Sequence, residues 1–109
     1  MQFKPLTSPE EVDAFLRANT QAIIFKAGTC HKTMEGFQQL QTALGERALP
    51  IGFIKVVENR AASDRVTELT GIVHHSPQVM MFDAGESFFN LDNWSITVDA
   101  LTPALAHYR

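Results

Sequence analysis

Apolar and polar positions alternate along this chain with a period that switches several times. Phe3 to Leu6 has the apolar content of a short edge strand. Ser8-Pro9-Glu10-Glu11 is a helix start: a capping serine, a proline suited to the first helical position and a glutamate three residues after the cap. Val12, Phe15 and Leu16 then share one face, and Asn19 or Thr20 closes that helix. Ala22 to Phe25 is an unbroken apolar run, the signature of a strand covered on both faces. Lys26 to Thr29 reads as a turn. Met34, Phe37, Leu40 and Leu44 recur at helical spacing from His31 onward, with Gly45 as the stop.

Ile51 to Val57 predicts the next strand, and Asn59 a cap for a helix with Ala62, Val66 and Leu69 inward and Gly71 at its end. A loop from Ile72 to Pro77 leads into two strands, Gln78 to Phe82 and Glu86 to Leu91. Asp83-Ala84-Gly85 between them carries the glycine of a short hairpin. Thr97 caps a last helix with Val98, Leu101, Leu105 and Tyr108 inward. Pro103 either kinks it or restarts it behind Thr102. Strand, helix, strand, helix, strand, helix, strand, strand, helix is the order of an α/β domain of thioredoxin-like type. The expected sheet is mixed, with four to five strands flanked by helices, and it spans residues 1–109 as one domain.

Composition narrows the functional classes. The 109 residues are 45% hydrophobic and 19% charged, with a net charge of -3. That is a globular balance with no basic stripe for nucleic acid. The first residues lack the apolar segment of a signal peptide, and no apolar run has the length of a membrane span. The expectation is a soluble, cytoplasmic protein with no membrane partner. One cysteine, Cys30, precludes an intramolecular disulfide.

Lone cysteines are usually small buried hydrophobes. Cys30, however, follows a strand and turn and immediately precedes a helix, where unpaired N–H groups and the helix dipole favour a thiolate. Lys26, Lys32 and His31 are near it in sequence and are candidates to tune it or to meet a substrate. Ser76-Pro77, just before a strand, is the second feature. In thioredoxin-like folds a proline at this place is cis and sits opposite the cysteine, which would leave the backbone of Ser76 to pair with an extended chain; the alternative is a trans proline that merely starts an edge strand. His74 is expected to make a local structural bond, and Trp94 to pack in the interior.

Lys26-Ala27-Gly28-Thr29-Cys30, Asn59-Arg60 with Ser63, His74-His75-Ser76-Pro77-Gln78 and Trp94-Ser95-Ile96-Thr97 resemble the monothiol bacilliredoxins (YtxJ-like proteins), over nearly the whole chain. The resemblance implies a thioredoxin-like fold and an oxidative-stress role: a thiol–disulfide oxidoreductase that removes bacillithiol from S-thiolated client proteins. Cys30 is then the nucleophile. Thr29, His31, Ser76, Pro77 and Gln78 are expected to contact substrate, with Lys26, Lys32 and His74 as tuning residues. Bacillithiol is the co-substrate, and no bound cofactor or metal is expected. The chain departs from the family at His31, where a proline is usual, at Ala27-Gly28, where His-Ser is frequent, and at Asn93, where a histidine is frequent.

Other readings compete. A non-catalytic thioredoxin-like interaction module would use Cys30 only for packing. An arsenate-reductase type of enzyme would need arginines by the sulfur, and none lies within ten residues of Cys30. A metal site from Cys30, His31, His74 and His75 lacks a recognisable ligand spacing.

Overall fold

The computed structural model describes residues 2–108. In chain order it runs β1 (Gln2–Pro5), α1 (Pro9–Ala18), β2 (Gln21–Ala27), α2 (His31–Leu44), β3 (Pro50–Lys55), α3 (Arg60–Thr70), β4 (Gln78–Asp83), β5 (Glu86–Asp92), a single 3-10 turn (Asn93–Ser95) and α4 (Val98–Leu105). The five strands form one sheet in the order β1-β3-β2-β4-β5. β1 and β2 run parallel to β3, whereas β4 is antiparallel to both β2 and β5. This is the mixed thioredoxin-like sheet that the element order implies.

β2 is central, and its alternate residues feed two apolar layers. Ile23, Phe25 and Ala27 join Leu40 and Leu44 of α2 and Leu101 and Leu105 of α4. Ala22 and Ile24 join Val12 and Phe15 of α1 and Ala62 and Val66 of α3. Both faces of the strand are thus covered, which is why its sequence is an uninterrupted apolar run.

Ser8 caps α1 by accepting from Glu11 N at 3.2 Å. The Glu11 carboxylate reaches back one residue beyond the cap, to the N–H and hydroxyl of Thr7, both at 2.6 Å. Thr97 caps α4 through Ala100 N at 3.2 Å, and Pro103 lies inside that helix, which ends two residues later. Of the two sequence readings, the one with Thr97 as cap is the structure. The β4–β5 loop is Ala84-Gly85, both at positive φ (52° and 83°), the geometry of a tight two-residue hairpin.

Four sequence expectations are corrected. β2 does not stop at Phe25: Lys26 and Ala27 continue it, paired with Gln78 and Lys55 on the two neighbouring strands. β3 ends at Lys55 rather than Val57, since the chain turns there and Asn59 N bonds Lys55 O at 2.8 Å. Met34 is 67% exposed. Steps of three residues fall about 60° short of a full turn, so the Leu40–Phe37–Met34 series drifts off the buried face. Leu69 is 44% exposed, because it lies in the last turn of α3 in an open groove beside Leu16 and Arg17.

Candidate active site

Cys30 occupies the N-cap position of α2 with extended backbone (φ -86°, ψ 164°), and its side chain is exposed. Partial desolvation pushes the thiol pKa up. That push is outweighed by the backbone N–H of Lys32, the hydroxyl and N–H of Thr33 and the Lys32 ammonium, so the net shift is downward. Thr33 Oγ1 also accepts from Gly28 N at 3.1 Å. The Thr33 hydroxyl therefore braces the turn that carries the nucleophile and contributes to favouring its anion. Thr33→Val is expected to move the inflection of Cys30 alkylation against pH upward and to slow alkylation at neutral pH. An unmoved inflection would show that the hydroxyl does not stabilise the anion.

The peptide between Ser76 and Pro77 is cis. A Cβ built on Gly28 would lie 2.9 Å from Ser76 Oγ, so the cysteine turn and the proline loop nearly touch. Pro77 is buried, and Ser76 is partly exposed beside the turn. Gln78 is fully buried, donating to Val73 O at 3.1 Å, with its amide oxygen 3.5 Å from His75 N. It braces the loop from within, and its full burial leaves it no exposed surface for the substrate contact expected of it.

Asn93 ties the two halves together, and sequence reasoning missed this. Its N–H donates to Pro77 O at 3.0 Å, and its Oδ1 accepts from Lys32 Nζ at 3.0 Å. It does so at φ 49°, a left-handed conformation that asparagine tolerates better than most residues. The available signal was its place directly before Trp94. Trp94, expected in the interior, is 64% exposed on that same turn and presents its ring to solvent.

Lys26 points away from the sulfur. Alternation along β2 sends it to the α3 face, where it is fully buried and bonds Thr67 Oγ1 at 3.3 Å and His74 Nδ1 at 3.1 Å. Burial pushes its pKa down to about 8, against a smaller upward pull from Asp64. Ser63 Oγ lies 3.3 Å from the same His74 nitrogen. Burial, then the charges of Lys26, Arg60 and His75, lower the His74 pKa, against Asp64. His74 thus makes the local structural bond expected of it, and it anchors the proline loop to β2 and α3. None of the hydrogen bonds of Lys26 or His74 goes to Cys30. Of the three expected tuning residues, only Lys32 acts on the sulfur. Thr29 and His31 flank Cys30 and are exposed.

Among the described residues no three His, Cys, Asp or Glu side chains converge as a metal-binding group. Likewise no helix there is long and apolar enough to cross a membrane.

Comparison with solved structures shows the same fold. A protein of thioredoxin fold proposed to be an oxidoreductase is 26% identical, with TM-score 0.85, covering 97% of this chain and 94% of its own. A mutant thioredoxin from Halobacterium salinarum is 18% identical (TM-score 0.78, 98% and 90% covered). The oxidised mitochondrial thioredoxin 3 of Saccharomyces cerevisiae is 14% identical (TM-score 0.78, 97% and 95% covered). Residues 4–101 match the model of the monothiol bacilliredoxin BrxC family. An exposed cysteine whose thiolate is favoured at a helix start, facing a cis-proline loop on this fold, is a thiol–disulfide redox centre, and the chain belongs to the monothiol bacilliredoxin family.

Proposed function

We propose that this protein removes bacillithiol from S-thiolated client proteins by a monothiol mechanism. The Cys30 thiolate attacks the small-thiol sulfur of the client's mixed disulfide. A new sulfur–sulfur bond forms to Cys30 as the old one breaks, and the electron pair leaves on the client sulfur, which takes a proton from solvent. The client is reduced and Cys30 is oxidised to a mixed disulfide. No second cysteine exists in the chain, so a second low-molecular-weight thiol, or another redox protein, must attack that disulfide and restore Cys30.

The observation that carries this reading is the exposure of a sulfur whose anion is favoured by the first N–H groups of α2. Beside it, Ser76 has neither backbone group hydrogen-bonded among the described residues, so both can receive an extended client segment as an added strand does. The exposed Trp94 ring lies on the same flank, tied to Pro77 through Asn93, and offers apolar area to that segment.

Purified reduced protein exposed separately to bacillithiol disulfide and glutathione disulfide tests the reading by intact-mass spectrometry. An adduct on Cys30 with the first, reversed by free bacillithiol, is the expected result. Adduct formation with glutathione disulfide alone would replace bacillithiol as the co-substrate. No adduct with either, together with an ordinary thiol pKa, would favour the non-catalytic interaction module.

A further inference from the structure

The sheet order gives Cys30 two different flanks. It follows β2, whose neighbours are β4 on one side and β3 on the other. The proline loop and the Trp94 turn occupy the β4 flank. On the β3 flank an open cleft of about 310 Å3 runs from Thr29 and Thr33, beside the nucleophile, past Phe53 and Val57 to Lys55 and Glu58. Ala27 and Lys55 are directly paired across the β2–β3 ladder, and Phe53 and Lys55 alternate onto the same sheet face as α2. Lys55 therefore lines this cleft from the sheet face that carries α2.

We infer that this cleft is the subsite for the small thiol, and that it takes a thiol carrying both a carboxylate and an ammonium group, held by Lys55 and Glu58. This deepens the exchange reading and rests on it. Four observations support it. Thr29, the chain neighbour of Cys30, and Thr33, in the first turn of the helix that Cys30 caps, both line the cleft, so a ligand there lies against the turn that carries the sulfur. The volume is at the lower end of the range for small-molecule sites, fitting a compact thiol but not a folded partner. Phe53 and Val57 give an apolar wall for its methylene groups. Finally, Lys55 and Glu58 make no ion pair and no side-chain hydrogen bond among the described residues, unlike Lys32, which Asn93 holds. Two opposite, uncommitted charged residues lining one cleft complement a zwitterion.

The test compares wild type, Lys55→Glu and Glu58→Lys on four disulfides: those of glutathione and bacillithiol, cystamine, which is cationic only, and hydroxyethyl disulfide, which is uncharged. The quantity read is the second-order rate constant for exchange of reduced Cys30 with each charged disulfide, in a single turnover, divided by that with hydroxyethyl disulfide. For Lys55→Glu this ratio is expected to fall roughly five- to tenfold with the carboxylate-bearing disulfides, the scale of reversing an exposed charge pair, and to rise with cystamine. For Glu58→Lys the cystamine ratio is expected to fall. The larger wild-type ratio between glutathione and bacillithiol names the natural source. Unchanged ratios in both variants, with hydroxyethyl disulfide still consumed, overturn the subsite and leave the exchange reading standing. If wild type consumes none of the four, both fall.

Discussion

Cys30→Ser is expected to reduce client de-thiolation to the uncatalysed rate and to abolish the mass adduct, with the melting temperature of the reduced protein nearly unchanged. The chain has no second cysteine to substitute for the first. A serine hydroxyl at the same N-cap meets the same N–H groups of Lys32 and Thr33, but they cannot ionise it near neutral pH, and an oxygen does not exchange with a disulfide. Stability is spared because the side chain is exposed, and serine is among the preferred N-cap residues. The measurement is release of a labelled small thiol from a mixed-disulfide client, followed beside a melting curve. Turnover above background in a folded Cys30→Ser protein would reject the mechanism outright.

Gly52→Ala is the substitution expected to damage the fold most for its size. Gly52 lies on β3 between β1 and β2, paired with Lys4 and Ile24. A Cβ there would stand 2.5 Å from Leu6 Cδ1 and 3.0 Å from Phe15 Cε2. Leu6 is fully buried and Phe15 nearly so, and the Leu6 contact is too short for a methyl group to enter without a shift of the core. Forcing a methyl group into such a core costs about 1–3 kcal/mol. For a domain of this size that is a drop of roughly 5–20 °C in melting temperature. Gly45→Ala gives a useful contrast, since a Cβ at that helix C-cap meets no atom within 4 Å and only its backbone (φ 58°) is strained. Thermal denaturation followed by circular dichroism checks both. A Gly52→Ala protein as stable as the parent would mean that the α1 layer is loosely packed. Below its melting temperature that variant should keep its exchange chemistry, because the α1 face is opposite the one that carries α2.

The element order was legible because each layer imposes its own period. β2 is covered on both faces and shows an apolar run, while α1 buries one stripe and shows helical spacing. Cys30 and Pro77 were legible for a related reason: a helix start and an X-Pro step before a strand are local features. Contacts between segments distant in the chain were not legible. Nothing near residue 26 tells that its ammonium is satisfied by Thr67 and His74, some 41 and 48 positions later. Lys26 therefore looked like a neighbour of the sulfur, although strand alternation turns it to the other face. Gln78 misled in the same way, since its buried amide serves the loop that precedes it. Trp94 has the composition of a core residue, and only the turn imposed by Asn93 holds it outside. The ends of β2 and β3 were misjudged because pairing with a neighbour, rather than local preference, decides where a strand stops.

The reactive sulfur is also the residue from which α2 begins, and loading the protein therefore carries a structural penalty. As an anion, Cys30 is favoured by the N–H dipoles and positive end of the first turn of that helix; bonded to a second sulfur it carries no charge, and that favourable interaction is lost. With a pKa depressed on folding, the stabilisation is in place above the pKa of an unfolded-chain thiol and fades as pH falls through the folded value. At alkaline pH the empty protein is thus favoured over the loaded one. The same donors that sharpen the attack make Cys30 a willing leaving group, so the cycle is biased toward regeneration before any second thiol arrives.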